Sequence, residues 1–284
     1  MAITGCFCLT EVSYGNNAIE METTAVYSEK DGHFVINTNT VNGQKFWITN
    51  GAYYATFAIV FAQTIVKGKN EGISPFIVRM RDDNGKLCEG VVIDDMGHKM
   101  GLNGVDNARI IFRNVKVSKD DLLNRISDID EKGNFVSKVA GRRQRFLAAA
   151  DRLLSGRLCI GSMMISMTKL CLLITSKYAS VRLSNGKTGK SDAPITNFQL
   201  FQNQIVPLIA KTYIYNLGLL SIRKVYSDYM INPSKYDEHY FKNLIRLVCV
   251  IKPMIAWHAN TTGNICRERC GGQGFLSINR IDGC

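Results

Sequence analysis

The sequence lacks the short motifs that mark the commonest nucleotide-binding and hydrolytic enzymes. It contains no G-x-G-x-x-G segment after a predicted strand, no Walker loop and no G-x-S-x-G. These absences argue against a dinucleotide-binding βαβ fold, a P-loop NTPase and an α/β-hydrolase. The four histidines are scattered along the chain, and none lies in a pattern typical of nucleophilic catalysis.

A regular cysteine framework is also missing, although the chain has nine cysteines. A core of the size expected here needs no disulfides, so a reducing compartment is favoured. The pairs Cys6/Cys8 and Cys266/Cys270 do not have the C-x2-C spacing of common structural zinc sites. Cys266 and Cys270 are expected to share one face of a helix. The sequence therefore predicts no metal site.

Neither a signal peptide nor a membrane span is predicted. The first residues have no basic region and include an early glutamate, Glu11. The apolar segment 158–176 is almost long enough to cross a bilayer. Lys169 lies in its interior together with several hydroxyl residues, which favours a buried helix of a bundle.

Acidic residues are outnumbered by basic ones. The chain has 24 Asp and Glu against 35 Lys and Arg, a net charge of +11. This surplus suggests a polyanionic partner, either nucleic acid or a phosphorylated small molecule. The basic run of Arg142, Arg143 and Arg145 has no nucleic-acid recognition motif around it, so a solvated helix face is the favoured interpretation. No nucleic-acid partner is expected.

The 284 residues of the chain are enough for about two domains. A strand-like pattern fills the first part of the chain and a helical pattern fills the rest. Strand-like runs such as TFAIVFAQTIV and ARIIFRNVKV fill the first 120 residues, with compact turns between them. Beyond them the apolar period is helical. The three helical segments are 142–182, 197–229 and 236–269, broken at 185–194 and at Asn232-Pro233, with a kink expected at Pro253.

These patterns predict an α+β fold with two domains. An antiparallel, β-barrel-like domain is expected over residues 1–120 and a linker over 121–140. A helical bundle is expected over residues 141–284.

Six strings in a fixed order resemble a known family. They are GCFCLTEVSYGNN near the start, KFWITNG at 45–51, GHKMGLNGVDNARIIFRNVKV at 97–117, SGRLCIG at 155–161, YASVR ending at Arg182, and CRERCGGQGF at 266–275. In this order they resemble the acyl-CoA oxidase and acyl-CoA dehydrogenase superfamily. The first, third and last strings are closer to oxidases, whereas KFWITNG is closer to dehydrogenases, so an oxidase is favoured and a dehydrogenase stays the alternative.

The resemblance implies an acyl-CoA dehydrogenase-like fold that binds FAD between a central β domain and helical domains. It implies that Thr10 hydrogen-bonds the flavin pyrimidine edge and that Trp47 and Thr49 pack on and bond to the ring system. It also implies that Arg182, Gln199, Gly271 and Gly272 lie near FAD, some of them near the FAD of a neighbouring subunit. Arg157 and Asn16 are implied to lie near the acyl-CoA.

The implied activity is a step of fatty-acid β-oxidation. An oxidase converts a fatty acyl-CoA to trans-2-enoyl-CoA and reduces O2 to H2O2, whereas a dehydrogenase passes the electrons to an electron-transfer flavoprotein. The resemblance also implies a homodimer that shares its FAD sites, and a peroxisomal location.

The sequence departs from the family pattern at several positions. Ser13 replaces a usual glycine, Ser118 a proline and Gln273 a histidine, and R-L-S-N-G after Arg182 lacks the family's aromatic residue. One family position for the catalytic base is occupied by Gly156, and the other lies beyond Cys284. No catalytic residue is therefore assigned. The chain is expected to be a fragment lacking both ends, and a catalytically dead remnant is the alternative.

Overall fold

The chain folds into two compact units, Met1–Asp151 and Arg152–Cys284, called here the β unit and the helical unit. This computed structural model describes residues 3–149 and 153–281. The α+β fold class is confirmed, because strands dominate the first unit and long helices the second.

The elements of the β unit alternate with short turns. Its strands are β1 (Gly5–Cys8), β2 (Thr24–Ser28), β3 (His33–Asn37), β4 (Lys45–Thr49), β5 (Phe57–Val66), β6 (Lys69–Arg79), β7 (Val91–Asp95), β8 (Asn107–Phe112), β9 (Val115–Ser118), β10 (Ser127–Ile129) and β11 (Phe135–Ser137), followed by helix α1 (Arg142–Ala149). Six of these strands form one sheet and β4, β8 and β7 form a second, while β10 and β11 form a hairpin.

The large sheet is mixed, which differs from the antiparallel sheet that was expected. Strand β5 pairs along its whole length with β6, and its other edge is shared by β1 and β2, both parallel to it. A crossover connection, residues 9–23, carries the chain from β1 to β2 along that edge. The other strand pairs of the β unit are antiparallel.

Alternating burial along the strands builds one core. In β3 the side chains of Phe34 and Ile36 are fully buried while their neighbours are half-buried, which is the period of a strand with one face on a core. The Phe34 ring packs against Phe76, with centroids 4.8 Å apart, and against Tyr27, at 5.0 Å.

Helix α1 packs on the β unit through two side chains of its inner face. The Phe146 ring lies edge-on to Phe61 at 6.5 Å. The buried Arg145 guanidinium donates to the carbonyls of Val139, Ala140 and Glu71. Of the basic run, only Arg142 and Arg143 are exposed, so the expected solvated face does not include Arg145.

The helical unit consists of three long helices and a hairpin. The helices are α2 (Leu153–Val181), α3 (Gln199–Ile231) and α4 (Glu238–Arg269), and the hairpin strands are β12 (Leu183–Asn185) and β13 (Ser191–Pro194). The predicted breaks coincide with the β12–β13 hairpin and with the turn after Asn232. Asp237 caps α4 by accepting from the Tyr240 amide at 2.7 Å.

The border between the units lies further along the chain than the predicted domain division. Residues 121–140, expected as a linker, contain the β10–β11 hairpin, and α1 belongs to the β unit. Strands of three residues leave too short a pattern for the sequence to show them. Helix α1 has the helical period but packs on strands, because its Arg145 and Phe146 find partners there.

Two helices, α2 and α3, have the length and apolar composition of a membrane-crossing segment, with mean hydropathies of 1.8 and 1.4. Both pack on α4 within the helical unit. A core helix of a soluble protein passes the same test of length and composition, so these two helices are only weak evidence of a membrane span.

Candidate functional site

Trp47 is the most unusual residue of the β unit. Its φ of 61° lies in the left-handed region, which costs a non-glycine residue roughly 1–3 kcal/mol. It lies at a bulge, because β4 advances three residues from Lys45 to Ile48 while β8 advances two. The bulge turns the indole outward, where it is 54% exposed and touches the Phe46 ring edge-on at 6.2 Å. Such strain at an exposed aromatic residue indicates a functional constraint.

Thr49 is brought to the same strand end as Trp47. Its side chain is exposed, and the Asn107 amide donates to its hydroxyl at 3.3 Å and to the Trp47 carbonyl at 3.5 Å. The turn after β4 is held by Asp106, which accepts from the Tyr53 amide through Oδ2 at 2.9 Å and from the Asn50 amide through its carbonyl at 3.3 Å. This support from Asn107 and Asp106 was not foreseen, although both belong to the motif string GVDNAR.

Thr10 lies beside β4 as well. Its carbonyl accepts from the Phe46 amide at 2.9 Å, one residue before Trp47. The structure thus places the Thr10 backbone beside β4, the strand that contains Trp47 and Thr49. Asn16 is exposed on the following loop, and no hydrogen bond of its own ties it to these three residues in the described part of the chain.

Beneath Thr10 lies an ion pair that sequence reasoning passed over. Glu11 and Lys45 are fully buried, with Lys45 Nζ 2.9 Å from Glu11 Oε1. Burial lowers the pKa of Lys45, and the Glu11 carboxylate opposes that shift. Both residues stand in the quoted strings, Glu11 beside Thr10 and Lys45 at the start of KFWITNG, so their polarity amid apolar neighbours was the available clue.

Three predicted residues of the helical unit lie at one end of it. Arg182 follows the last residue of α2, and Gln199 is the first residue of α3. The β12–β13 hairpin joins the two, and the Arg182 carbonyl accepts from the Ile195 amide at 3.0 Å. Gly271 follows the end of α4, which shares a buried cluster with the end of α2 and the start of α3. The side chains of Arg182 and Gln199 are exposed.

The glycines after α4 differ in what they require. Gly271 has a left-handed φ of 57°, so glycine suits its backbone. A Cβ at Gly274 would lie 2.1 Å from the Arg267 carbonyl oxygen, whereas one at Gly272 would meet nothing within 4 Å. Neither packing within the described chain nor backbone conformation therefore demands glycine at position 272. Open space over an exposed main chain is what close approach of a flat or phosphate-bearing ligand needs.

Arg157 lies apart from Arg182, Gln199, Gly271 and Gly272, near the opposite end of α2. It precedes Leu158, which belongs to a second buried cluster with Leu219 and Val248. Twenty-five residues of helix span about 37 Å at 1.5 Å per residue, so Arg157 and Arg182 cannot contact one phosphate group. Arg157 is half-buried, while Arg182 is exposed.

No group of three or more His, Cys, Asp or Glu side chains that could hold a metal ion occurs among residues 3–149 and 153–281. Cys266 and Cys270, expected on one helix face, are both buried in the cluster shared by the three helices. There the Cys270 thiol also donates to the Thr175 hydroxyl oxygen, 3.6 Å away.

The residues present fit a flavin. A flat ring with hydrogen-bonding edges needs an aromatic face and short hydroxyl groups, which the exposed Trp47, Thr49 and half-buried Thr10 provide. A pyrophosphate needs a guanidinium and uncrowded main chain, which Arg182 and Gly272 provide.

Family models match most of the chain. Residues 6–115 match the acyl-CoA dehydrogenase middle domain, and residues 151–284 match the acyl-CoA oxidase C-alpha1 domain.

The matches to relatives extend over almost all of this chain but over less than half of the length of each relative. Acyl-coenzyme A oxidase 3, peroxisomal, of Arabidopsis thaliana is 35% identical over 98% of this chain and 40% of its own length. Peroxisomal acyl-coenzyme A oxidase 3 of Homo sapiens is 34% identical over 99% and 41%. The chain thus spans about two fifths of the relatives that it matches.

Solved structures agree with this match. Acyl-CoA oxidase 1 of Yarrowia lipolytica superposes with a TM-score of 0.88 at 29% identity, over 98% of this chain and 42% of that one. Acyl-CoA oxidase-1 of Caenorhabditis elegans, solved with FAD and ATP, gives 0.88 at 25% identity, over 99% and 42%. The chain therefore belongs to the acyl-CoA oxidase family, its β unit corresponding to the middle domain and its helical unit to the C-alpha1 domain.

Proposed function

We propose that this chain supplies the flavin-binding and acyl-CoA-binding part of a FAD-dependent acyl-CoA oxidase of fatty-acid β-oxidation. The reaction converts a fatty acyl-CoA to trans-2-enoyl-CoA and reduces O2 to H2O2. The observation that carries the proposal is Trp47, an exposed indole kept at a strained φ of 61° beside Thr10 and Thr49. Bound FAD would supply the acceptor for the substrate's β-hydride.

The residues of the β unit would hold the flavin ring. Thr10 would hydrogen-bond its pyrimidine edge, Trp47 would cover one face, and Thr49 would bond to the ring system. Because the indole is fixed by a bulge and not by packing around it, its outer face is free to stack.

The helical unit would hold phosphates. Arg182, Gln199, Gly271 and Gly272 share one end of the unit, and we assign them to the FAD of a second subunit in a homodimer. A guanidinium is suited to a pyrophosphate, and the opening over Gly272 allows a ligand near the main chain. Arg157, about 37 Å away along the helix axis, is assigned with Asn16 to the acyl-CoA. No residue is assigned as the catalytic base.

The expected location is the peroxisome, since the Arabidopsis and human relatives are named peroxisomal. An acyl-CoA dehydrogenase using an electron-transfer flavoprotein is the second candidate, favoured by the string KFWITNG. A catalytically dead remnant is the third, favoured by Gly156 at one family position of the base.

Flavin titration followed by a peroxide assay tests the proposal. Purified protein should quench flavin fluorescence on binding FAD, and Trp47→Ala should weaken that binding by about tenfold, equivalent to 1.4 kcal/mol. Because no catalytic base is assigned in this chain, acyl-CoA and O2 are then added to the full-length protein, which should yield H2O2. Reduction of an artificial electron acceptor without H2O2 would favour the dehydrogenase, and bound FAD with neither product would favour the remnant.

A further inference from the structure

We infer that the buried Glu11–Lys45 pair is a positioning device that holds the Thr10 segment and Trp47 in the geometry of the flavin site. Its relevance to flavin rests on the function proposed above. Its effect on Trp47 does not, because that can be measured without any ligand.

Every polar atom of the pair has a partner. Lys45 Nζ donates to Glu11 Oε1 at 2.9 Å, to the Phe61 carbonyl at 2.7 Å and to the Leu9 carbonyl at 3.3 Å. Three acceptors match the three N–H bonds of an ammonium group. Glu11 Oε1 also accepts from the Thr23 amide at 3.1 Å, and Oε2 accepts from the Glu22 amide at 2.7 Å.

These bonds join chain segments that are distant in sequence. The ammonium group fixes the Leu9 carbonyl and strand β5, while the carboxylate fixes the start of the β2 segment. Thr10 lies between Leu9 and Glu11, both of which take part, and its own carbonyl binds the Phe46 amide. Thr10 therefore has an anchored residue on each side.

Trp47 depends on the same anchor. The bulge removes it from the regular β4–β8 ladder, so the ladder does not set its orientation. Lys45 and Ile48, both buried, are the fixed points on either side of Phe46 and Trp47. Loss of the lysine bonds frees the N-terminal side of the bulge.

Stability alone does not account for such a pair. Replacing a buried ion pair with apolar residues of similar volume is often neutral or stabilising, because desolvation of two charges offsets their attraction. A polar pair whose five hydrogen bonds tie a ligand-facing segment to a strand instead fixes one arrangement among several. The Lys69–Glu71 pair, at 2.7 Å on the same unit, has an exposed lysine and no such segment attached, and is the natural comparison.

Tryptophan fluorescence makes the test direct. The chain has two tryptophans, so Trp257→Phe leaves Trp47 as the only emitter. In that background we compare Glu11→Gln, which keeps the shape, and the neutral double variant Glu11→Gln/Lys45→Met. Circular dichroism and urea unfolding establish that each is folded. Two controls accompany them: Lys69→Met for the Lys69–Glu71 pair, and Ile36→Val for general loss of core stability.

Both pair variants should lower the fluorescence anisotropy of Trp47 and raise its quenching by acrylamide without any flavin present. The double variant should also bind FAD about tenfold more weakly. Lys69→Met and Ile36→Val should leave Trp47 anisotropy and FAD affinity unchanged. Folded pair variants with the anisotropy and FAD affinity of the parent would overturn the inference.

The design separates the two proposals. If the parent binds no FAD, the proposed function fails, while the ligand-free anisotropy of Trp47 still decides whether the pair positions it. If the double variant does not fold, Glu11→Gln decides the matter by the same measurement. Retained Trp47 anisotropy in folded Glu11→Gln would then count against a positioning role.

Discussion

The two units of the molecule differ in how deeply they bury their side chains. Among the described residues, the phenylalanine rings that are less than 2% exposed, Phe34, Phe61, Phe76 and Phe112, all lie in the β unit. The helices instead leave many large apolar residues exposed, including Val206, Tyr213 and Leu217 on α3. Substitutions of buried residues should therefore lower the free energy of unfolding more in the β unit than in the helical unit.

The two units also differ in their net charge. Residues 1–151 have 18 basic and 18 acidic side chains, whereas residues 152–284 have 17 and 6. The whole surplus of +11 thus belongs to the unit that has Arg157 and Arg182. A neutral unit with a dry core suits a flat ring, and a basic unit suits phosphates. Under the proposed function, the β unit would hold the flavin ring and the helical unit would hold phosphates.

Emptying the β core should give the largest effect. Phe34→Ala removes a fully buried ring that packs on Phe76 and Tyr27, and should cost about 3–5 kcal/mol of unfolding free energy. The same change at Phe275 of the helical unit, which is 84% exposed, should cost little. Urea unfolding followed by circular dichroism measures both, and equal costs would break the comparison.

A smaller effect is expected at the turn after α4. Gly274→Ala forces a Cβ against the Arg267 carbonyl, 2.1 Å away, and should destabilise the helical unit by about 1–3 kcal/mol. Gly272→Ala meets no atom within 4 Å, so its thermal midpoint should match that of the parent. A lowered midpoint for Gly272→Ala would contradict the open space seen there.

Acid should weaken the helical unit through His258. Thr212 donates its hydroxyl proton to the Leu208 carbonyl at 2.7 Å, so the His258 ring must donate to Thr212 from Nε2, 2.8 Å away. Burial, reinforced by the charge of Lys211, lowers the pKa of His258 from 6.5. As the pH falls below 6.5 the unfolded chain binds more protons than the folded one, so stability decreases until the folded-state pKa is reached.

The acid effect can be assigned by substitution. His258→Gln keeps a donor for Thr212 but does not titrate, and should flatten the loss of stability below pH 6.5. Ile36→Val, in the β unit, removes no titrating group and is the control, so it should keep the slope of the parent. An unchanged slope in His258→Gln would exclude this histidine as the source.

The smallest effect compares the two tryptophans. Trp47→Gly relieves a left-handed residue, and after the entropy cost of glycine should stabilise the protein by about 0.5–1 kcal/mol. Trp257 is more exposed, at 71%, but lies inside α4, where glycine should cost up to about 1 kcal/mol. Urea unfolding should give shifts of opposite sign. Shifts of the same sign would mean that the strain at Trp47 is not real.

Much of the fold could be predicted from local patterns. The two helix breaks are marked by Asn-Gly and Asn-Pro residues, which act within a few positions of chain. The parallel pairing of β1 and β2 with β5 could not, because pairing partners depend on long-range contacts that local periodicity does not encode. Pro207 lies inside α3, so the tertiary packing of that helix overrides its local preference.

The residues of the candidate site could be predicted only through resemblance to family motifs. Thr10, Trp47 and Thr49 came from resemblance to a family, and the structure places the Thr10 backbone beside the strand that contains the other two. Lys45 and Glu11 are 34 residues apart, and no spacing rule pairs them. The left-handed backbone of Trp47 is likewise invisible in sequence, because tryptophan is among the residues least expected there.

The bulge at Trp47 has an evolutionary consequence. Backbone strain favours glycine at this position, and one nucleotide change converts the tryptophan codon to a glycine codon. A lineage that had stopped binding flavin would gain stability by that change and drift toward it. Under the function proposed above, bound flavin would offset the strain at Trp47, so we expect this position to keep tryptophan only in a chain that still binds the cofactor.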